Sequence, residues 1–154
     1  MGQKVEGDFK PPADTCARRL QGASILVVED EVIIAMEIAA SLEDEGAIVI
    51  GPAHTLRSAV AMASGSCISA AILDLRLRGA SVTPVARLLS DRGVPFIFYS
   101  GQSRPDPIMA EWPESKIFPK PTSPSVLIGA LARAISHDTP QSPLPSTLGS
   151  GAGS

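Results

Sequence analysis

Short apolar runs, each followed by a stretch with helical spacing, constrain the fold of this chain more than any other feature. The runs are rich in β-branched residues and apolar at nearly every position, which predicts strands that are buried on both faces. A parallel sheet covered on both sides by crossover helices accounts for that pattern. The predicted strands are residues 24–29, 47–51, 68–74, 94–99 and 117–118.

The stretches between these runs carry the signals of helix starts and stops. Gly46 follows the first helical stretch, where a helix C-terminus favours glycine. Thr55 can cap the second helix, and Pro84 falls in the first turn of the third, where proline is tolerated. The predicted helices are residues 31–45, 55–63, 81–91 and 123–135. We therefore predict an α/β fold with a doubly wound, five-stranded parallel sheet.

The connection between the fourth and fifth strands breaks the pattern. Pro105, Pro107 and Pro113 fall there and leave only residues 108–112 free for a helix. Proline inside a helix costs ~3 kcal/mol, because it removes a hydrogen bond and clashes with the preceding turn. The fourth helix is therefore expected to be short or distorted.

The two ends of the chain lack this patterning. Residues 1–22 mix charges of both signs with glycine and proline and show no sustained period. Residues 139–154 are almost wholly Pro, Ser, Gly and Thr, too poor in apolar groups to offset the entropy lost on ordering. We expect an N-terminal tail over 1–22, one domain over 23–138, and a disordered C-terminal tail over 139–154.

Composition narrows the classes of partner and compartment. A net charge of −3 provides no basic surface for nucleic acid, and no helix-turn-helix or other output module fits after residue 138. No apolar run approaches the ~20 residues that span a bilayer. Cys16 and Cys67 form neither a disulfide framework nor a metal-ligand spacing, which suits a reducing compartment. We expect a cytoplasmic protein that binds no membrane and does not bind nucleic acid directly.

Charged and hydroxyl side chains follow four of the five predicted strands. Functional groups gather at the carboxyl ends of strands in open parallel sheets, so we expect these side chains in one crevice. Clustered carboxylates need raised pKa values or a nearby cation, and together with waters they are the hard ligands that Mg²⁺ takes. The residues are Glu29 and Asp30 after the first strand, Asp74 after the third, Ser100 after the fourth and Lys120 after the fifth.

This set of groups is suited to phosphoryl transfer. A carboxylate such as Asp74, neutralised by Mg²⁺, can attack a phosphoryl group. Lys120 supplies a point charge for the phosphoryl oxygens, and Ser100 can donate a hydrogen bond to them. Each residue alone also has a structural explanation: Glu29 and Asp30, for example, can simply cap the next helix. Their occurrence at successive strand ends is what indicates a phosphoryl site.

Four stretches carry a resemblance to a known family. From Ile25 to Ile135 the chain resembles the receiver domain of two-component response regulators, which has a flavodoxin-like fold. The resemblance implies that Asp74 is the phosphoacceptor. The stretches are ILVVEDE (25–31), AILDLRLRG (71–79), FIFYSG (96–101) and FPKP (118–121).

The resemblance also implies a metal site. Glu29 and Asp30 would form an acidic pocket that holds Mg²⁺ together with Asp74. The backbone carbonyl of Arg76 would complete the protein ligands of the metal, whatever the Arg76 side chain does. The groups implied to grip the phosphoryl oxygens are the hydroxyl of Ser100 and the ammonium of Lys120.

The family resemblance implies partners as well. The phosphoryl group would come from a histidine kinase or a histidine phosphotransfer protein. The chain would then be no enzyme for a separate substrate, but a phosphoacceptor that assists its own Mg²⁺-dependent phosphorylation and dephosphorylation. Its output would pass to another protein by direct interaction.

The chain departs from the common receiver pattern in two places. Most receivers have an aromatic residue three positions before the lysine, and this chain has Ile117 there. In those receivers a movement of the conserved hydroxyl residue is coupled to rotation of the aromatic side chain. We do not expect that coupling here. The stretch PFIFYSG resembles a branch of single-domain receivers with a Pro-Phe-x-Phe-x-Thr/Ser-Gly fourth strand. Tyr99 stands where that branch has a small residue.

Two other functions fit part of the same pattern. Phosphatases of the haloacid dehalogenase class also use a strand-end aspartate with Mg²⁺, but they want a second aspartate two residues later, where this chain has Arg76. A receiver-like binding module that switches without phosphate is the remaining alternative. Retention of phosphate on Asp74 would separate that alternative from a phosphorylated switch.

Overall fold

The computed structural model describes residues 18–101, 106–113 and 115–137. These residues form a five-stranded sheet with the order β2-β1-β3-β6-β7, in which every pairing is parallel. A separate two-stranded hairpin, β4–β5, is antiparallel. The elements in chain order are β1 (Ser24–Val28), α1 (Val32–Asp44), β2 (Ile48–Ala53), α2 (Leu56–Gly65), β3 (Ala70–Leu73), β4 (Arg76–Leu77), β5 (Ala80–Ser81), α3 (Thr83–Asp91), β6 (Phe96–Ser100), α4 (Ile108–Glu111), β7 (Ile117–Pro119) and α5 (Pro124–His137). The predicted doubly wound α/β fold is confirmed.

Several local signals act as predicted. Gly46 adopts a φ of 87° just after α1, the left-handed conformation that glycine takes without steric cost. The Thr55 side chain accepts a hydrogen bond from the Ser58 amide at the start of α2, and Pro84 lies in the first turn of α3. The helix α4 is a single turn of four residues, so the short fourth helix is confirmed.

The core has two layers because neighbouring residues of a strand point to opposite faces of the sheet. Leu26 of β1 and Phe98 of β6 belong to the layer that α2 and α3 cover. Val27 of β1 and Tyr99 of β6 belong to the layer that α1 and α5 cover. The strands are therefore apolar on both faces, as their sequences indicated.

Two features were not predicted. The hairpin β4–β5 follows β3 directly, and its turn holds Arg78 at a φ of 51° and Gly79 at a φ of 87°. Leu20 lies within the predicted N-terminal tail, yet it is buried in the core layer beneath α1 and α5, and its amide donates to the Glu45 carbonyl. The end of that segment therefore packs against the domain, while residues 1–17 and the predicted C-terminal tail lie outside the described residues.

The lengths and the apolar character of the helices bear on membrane insertion. Within the described ranges, none of the helices combines the length and the apolar character that crossing a bilayer requires.

Candidate functional site

The predicted site residues lie together at the carboxyl edge of the sheet. The backbone ladder sets their positions: the Asp74 amide donates to the Val28 carbonyl at 2.9 Å, which holds Asp74 beside the end of β1. The Lys120 amide donates to the Ser100 carbonyl at 2.9 Å, which joins the ends of β6 and β7. Four strands thus deliver their terminal residues to one crevice, as the sequence indicated.

Lys120 lies at the centre of this crevice. Its Nζ is 2.8 Å from Oε2 of Glu29 and 3.1 Å from Oδ2 of Asp74. It also contacts Oε1 of Glu31 at 3.2 Å. The Lys120 side chain is only 10% exposed and that of Glu29 only 2%, so water screens the interaction between them weakly.

Burial and charge shift the pKa values of this pair. Burial raises the pKa of Glu29 from 4.5 to about 7; the Lys120 ammonium opposes this shift and the Asp74 carboxylate adds to it. Burial alone lowers the pKa of Lys120, but hydrogen bonds and charge from Glu29 and Asp74 outweigh it and hold the pKa above its ordinary value. The lysine is therefore a permanent cation, whereas Glu29 is a carboxylate whose charge depends on its neighbours.

Three consecutive acidic residues form the candidate metal pocket. Glu29, Asp30 and Glu31 each bring a carboxylate oxygen within 4.8 Å of the others. Oδ2 of Asp30 accepts a hydrogen bond from the Arg78 amide at 2.8 Å, which holds the β4–β5 hairpin against the pocket. Asp74 lies outside this trio but shares the Lys120 ammonium with it. The donors are hard oxygen atoms throughout, which fits Mg²⁺ better than a soft metal ion.

The backbone around Glu29 is held from both sides. Its carbonyl oxygen lies 2.8 Å from Nδ1 of His54, the residue directly after β2. Its carboxylate Oε1 accepts the Glu31 amide at 3.2 Å. The amide of Glu29 donates to the Ala53 carbonyl. These contacts fix a buried carboxylate at the strand end, where free rotation would otherwise let it turn to solvent.

The side chain of Arg76, to which no role was assigned, forms an ion pair. Its Nε lies 3.2 Å from Oδ2 of Asp106, whose side chain is 3% exposed. Oδ1 of Asp106 in turn accepts the Ile108 amide at the start of α4. An ion pair thus joins the residue two positions after Asp74 to the short helix. The predicted metal ligand is the Arg76 backbone carbonyl, and that role stays a prediction.

The remaining predicted positions lie on the β6 and β7 strands. Ser100 is buried as the last residue of β6. Ile117, in place of the aromatic residue common in receivers, pairs with Phe98 on the edge strand β7 and is 42% exposed.

Sequence reasoning missed three residues that the structure places around the site. Glu31 directly continues the Glu29–Asp30 pair, so the run of acidic residues was a signal that could have found it. Asp106 stands between prolines in a stretch without periodicity, which gave no indication of a buried carboxylate. Tyr99 was noted only as a departure from the small residue of the fourth-strand motif and not as a site residue, but its ring lies 5.6 Å from Lys120 Nζ.

Comparison with known proteins gives structural matches only, because no family model and no curated protein sequence matches the chain. A response regulator receiver protein from Sinorhizobium medicae is 26% identical, with a TM-score of 0.65 over 77% of this chain and 98% of that one. The receiver domain of a sensor histidine kinase from Pseudomonas aeruginosa, with a magnesium ion in its active-site cleft, is 24% identical, with a TM-score of 0.63 over 75% and 98%.

A third match is longer than this chain. The response regulator PhyR from Brucella abortus is 24% identical with a TM-score of 0.65, and the match covers 82% of this chain but only 53% of that one. This chain therefore spans about half of that PhyR structure. What the three matches share with this chain is the fold. The fold of this chain is that of a response-regulator receiver domain.

Proposed function

We propose that this chain is a phosphorylatable signalling switch whose Asp74 accepts a phosphoryl group from a histidine kinase or a histidine phosphotransfer protein. The observation that carries the proposal is the position of Lys120. Its ammonium bridges Asp74 and the buried Glu29 at 3.1 and 2.8 Å. A cation beside the nucleophile can neutralise the oxygens of an incoming phosphoryl group, which would otherwise be repelled by the carboxylates.

A phosphodonor supplies the phosphoryl group, and the residues of the crevice supply the nucleophile and the charged groups around it. A carboxylate oxygen of Asp74 forms the new bond to phosphorus, while the bond from phosphorus to the donor breaks and leaves its electron pair on the donor. Lys120 balances charge on one phosphoryl oxygen. Ser100, at the end of β6, is the hydroxyl donor for another. The product is an acyl phosphate on Asp74.

A divalent cation completes the proposal. Glu29, Asp30 and Asp74, with the Arg76 carbonyl, are the residues that would hold Mg²⁺. Bound there, the ion would neutralise negative charge as the phosphoryl group transfers. The acidic trio and its hard oxygen donors support this assignment, as does the similarity to the Pseudomonas receiver described with magnesium. Because Lys120 also contacts Glu29, the metal ion and the ammonium would compete for that carboxylate.

The proposal covers the output as well. The chain assists its own Mg²⁺-dependent phosphorylation and dephosphorylation and is not an enzyme for a separate substrate. It acts in the cytoplasm, and the phosphorylated state passes the signal by binding another protein. Neither a membrane nor direct contact with nucleic acid has a part in it.

Phosphotransfer with purified components tests the proposal. The full chain is incubated with acetyl phosphate, or with a phosphorylated histidine phosphotransfer protein, with Mg²⁺ and with a chelator. We expect one phosphoryl group per chain by intact-mass spectrometry, only with Mg²⁺, and none in Asp74→Asn. Asp106→Asn, which removes a different buried carboxylate, is the matched control and should still be labelled. A wild-type chain that takes no phosphoryl group from any donor would support the phosphate-independent binding module instead.

A further inference from the structure

Tyr99 is a neighbour in sequence of one predicted site residue and a neighbour in space of another, Lys120. It precedes Ser100 in β6, is 6% exposed, and packs in the core layer that contains Leu127 and Leu131 of α5. Residues in a strand alternate between faces, so its ring is on the α5 side of the sheet. A buried ring held by a helix and a strand has little freedom to move.

The Tyr99 side chain contacts two residues of the segment between β7 and α5. Nζ of Lys120 lies 5.6 Å from the centre of the Tyr99 ring. The hydroxyl of Tyr99 accepts a hydrogen bond from the Thr122 amide at 3.3 Å. Lys120 and Thr122 both belong to the short segment between the end of β7 at Pro119 and the start of α5 at Pro124. Tyr99 therefore contacts Lys120 through its ring and Thr122 through its hydroxyl, so it joins the lysine of the site to the segment that leads into α5.

The contact between the Tyr99 ring and the Lys120 ammonium matters most when a metal ion or a phosphoryl group is bound to the carboxylates. Glu29, Glu31 and Asp74 all contact the ammonium of Lys120. A metal ion would compete with the ammonium for these carboxylates, and a phosphoryl group would compete with the carboxylates for the ammonium. The negative face of the Tyr99 ring would stay available to the ammonium throughout. The Tyr99 ring carries no charge and would bind no metal, so its contact with Lys120 Nζ would persist through the reaction.

We propose that Tyr99 is a positioning residue: its ring keeps Lys120 at the phosphoryl group, and its hydroxyl links that lysine to the start of α5. The inference rests on the proposed function, since Lys120 needs a phosphoryl group to grip. It also adds a route by which a phosphoryl group at the site could change the conformation at the start of α5. When the Lys120 ammonium moves, its position over the Tyr99 ring changes. The hydroxyl of the same tyrosine accepts the hydrogen bond from the Thr122 amide, so the change can reach the start of α5.

Substitutions separate the ring from the hydroxyl. Tyr99→Leu removes both, and we expect the rate of phosphorylation by acetyl phosphate with Mg²⁺ to fall about three- to tenfold, the size of effect expected for a partly buried cation–π contact. Tyr99→Phe keeps the ring and should restore most of that rate. Phe118→Leu is the matched control, because Phe118 pairs with Tyr99 in the same core layer; it should remain within about twofold of wild type.

A spectroscopic readout tests the same point without any substitution. Tyr99 is the single tyrosine of the chain, so incorporation of fluorotyrosine gives one fluorine resonance from the protein. Beryllofluoride with Mg²⁺ stands in for the phosphoryl group. We expect its binding to shift the Tyr99 resonance, because the ammonium moves relative to the ring.

The outcomes distinguish this inference from the proposed function. A wild-type chain that is never phosphorylated overturns the proposed function. A wild type that is phosphorylated, with Tyr99→Leu reacting as fast as Phe118→Leu, overturns the positioning role alone. If Tyr99→Leu does not fold, the fluorine resonance decides: a resonance that stays in place while beryllofluoride is bound contradicts the inference, and a shifted one supports it.

Discussion

The ammonium group of Lys120 lies 2.8 Å from Oε2 of Glu29, although the two residues are 91 positions apart in the sequence. Their side chains are 10% and 2% exposed. Removing one partner of a buried ion pair leaves an uncompensated charge in a poorly solvated place, which is strongly destabilising. The pair is therefore both part of the proposed site and a structural link between β1 and β7.

Replacement of Lys120 should make the metal-free protein less stable. We expect Lys120→Met to lower the free energy of unfolding by about 3 kcal/mol, because Glu29 and Asp74 lose their shared cation. Urea unfolding in the presence of a chelator measures this loss. Lys116→Met, at an exposed lysine just before β7, is the control and should change the stability little. Equal losses in the two variants would mean that the buried pair contributes nothing specific.

The raised pKa of Glu29 predicts a pH dependence. Its pKa is 4.5 when unperturbed and about 7 in the folded protein. The folded state therefore binds more protons than the unfolded state between these values, and the contribution of Glu29 to stability is lost as the pH rises through about 7. Without metal, wild type should lose stability over this window relative to Glu29→Gln, which has no proton to release.

Unfolding of wild type and Glu29→Gln, measured with a chelator from about pH 5 to about pH 8, tests this sign. The difference between the two curves should grow in favour of the variant as the pH rises. The Lys120 cation is present over the whole window, because its pKa is raised, so it shifts the two curves without changing their slopes. Parallel curves would show that Glu29 does not titrate there.

Asp30→Asn should weaken Mg²⁺ binding while sparing the fold. The asparagine keeps an oxygen that can accept the Arg78 amide, so the β4–β5 hairpin should stay in place. Loss of the charge should reduce Mg²⁺ affinity about tenfold or more and slow phosphorylation. It also relieves repulsion among the carboxylates, so the metal-free variant should be as stable as wild type or more so. Calorimetric titration with Mg²⁺ checks the affinity, and identical titrations would count against this pocket.

The Arg76–Asp106 ion pair should hold α4 in place. Asp106→Asn keeps an acceptor for the Ile108 amide but loses the charge that Arg76 contacts at 3.2 Å. We expect a loss of about 1 to 2 kcal/mol in the free energy of unfolding. Hydrogen exchange should become faster over residues 106–113. The emission of Trp112, which packs edge-on against Phe96, should change as well. An exchange pattern identical to wild type would show that the pair does not restrain the helix.

The hydrophobic pattern of the sequence was sufficient to predict the sheet and most of the residues of the crevice. The five strands were recognised because each is apolar on both faces, and the prolines around residues 108–112 explained the short α4. Strand ends then located Asp74 and Lys120 by topology alone. In each of these cases the physical cause acts within a few residues of the sequence, which is why it can be read there.

Features that depend on distant contacts could not be read from local patterns. The strands of the β4–β5 hairpin have two residues each, too few to show alternation. Leu20 is a lone apolar residue whose burial depends on the packing of α1 and α5. The pairing of Asp106 with Arg76 and the position of Tyr99 under Lys120 arise only once the sheet has assembled. These are the residues that local sequence reasoning left out of the site.

Chemical identification of the phosphorylated residue tests the central claim most directly. An acyl phosphate on an aspartate is reduced by borohydride to homoserine, so the modified position can be read from peptide fragmentation after phosphorylation with Mg²⁺. We predict homoserine at position 74 in the wild-type chain and at no other aspartate, with none formed in a chelator. Homoserine at Asp30 or Asp106 instead, or phosphate retained on a residue that borohydride does not reduce, would contradict the account.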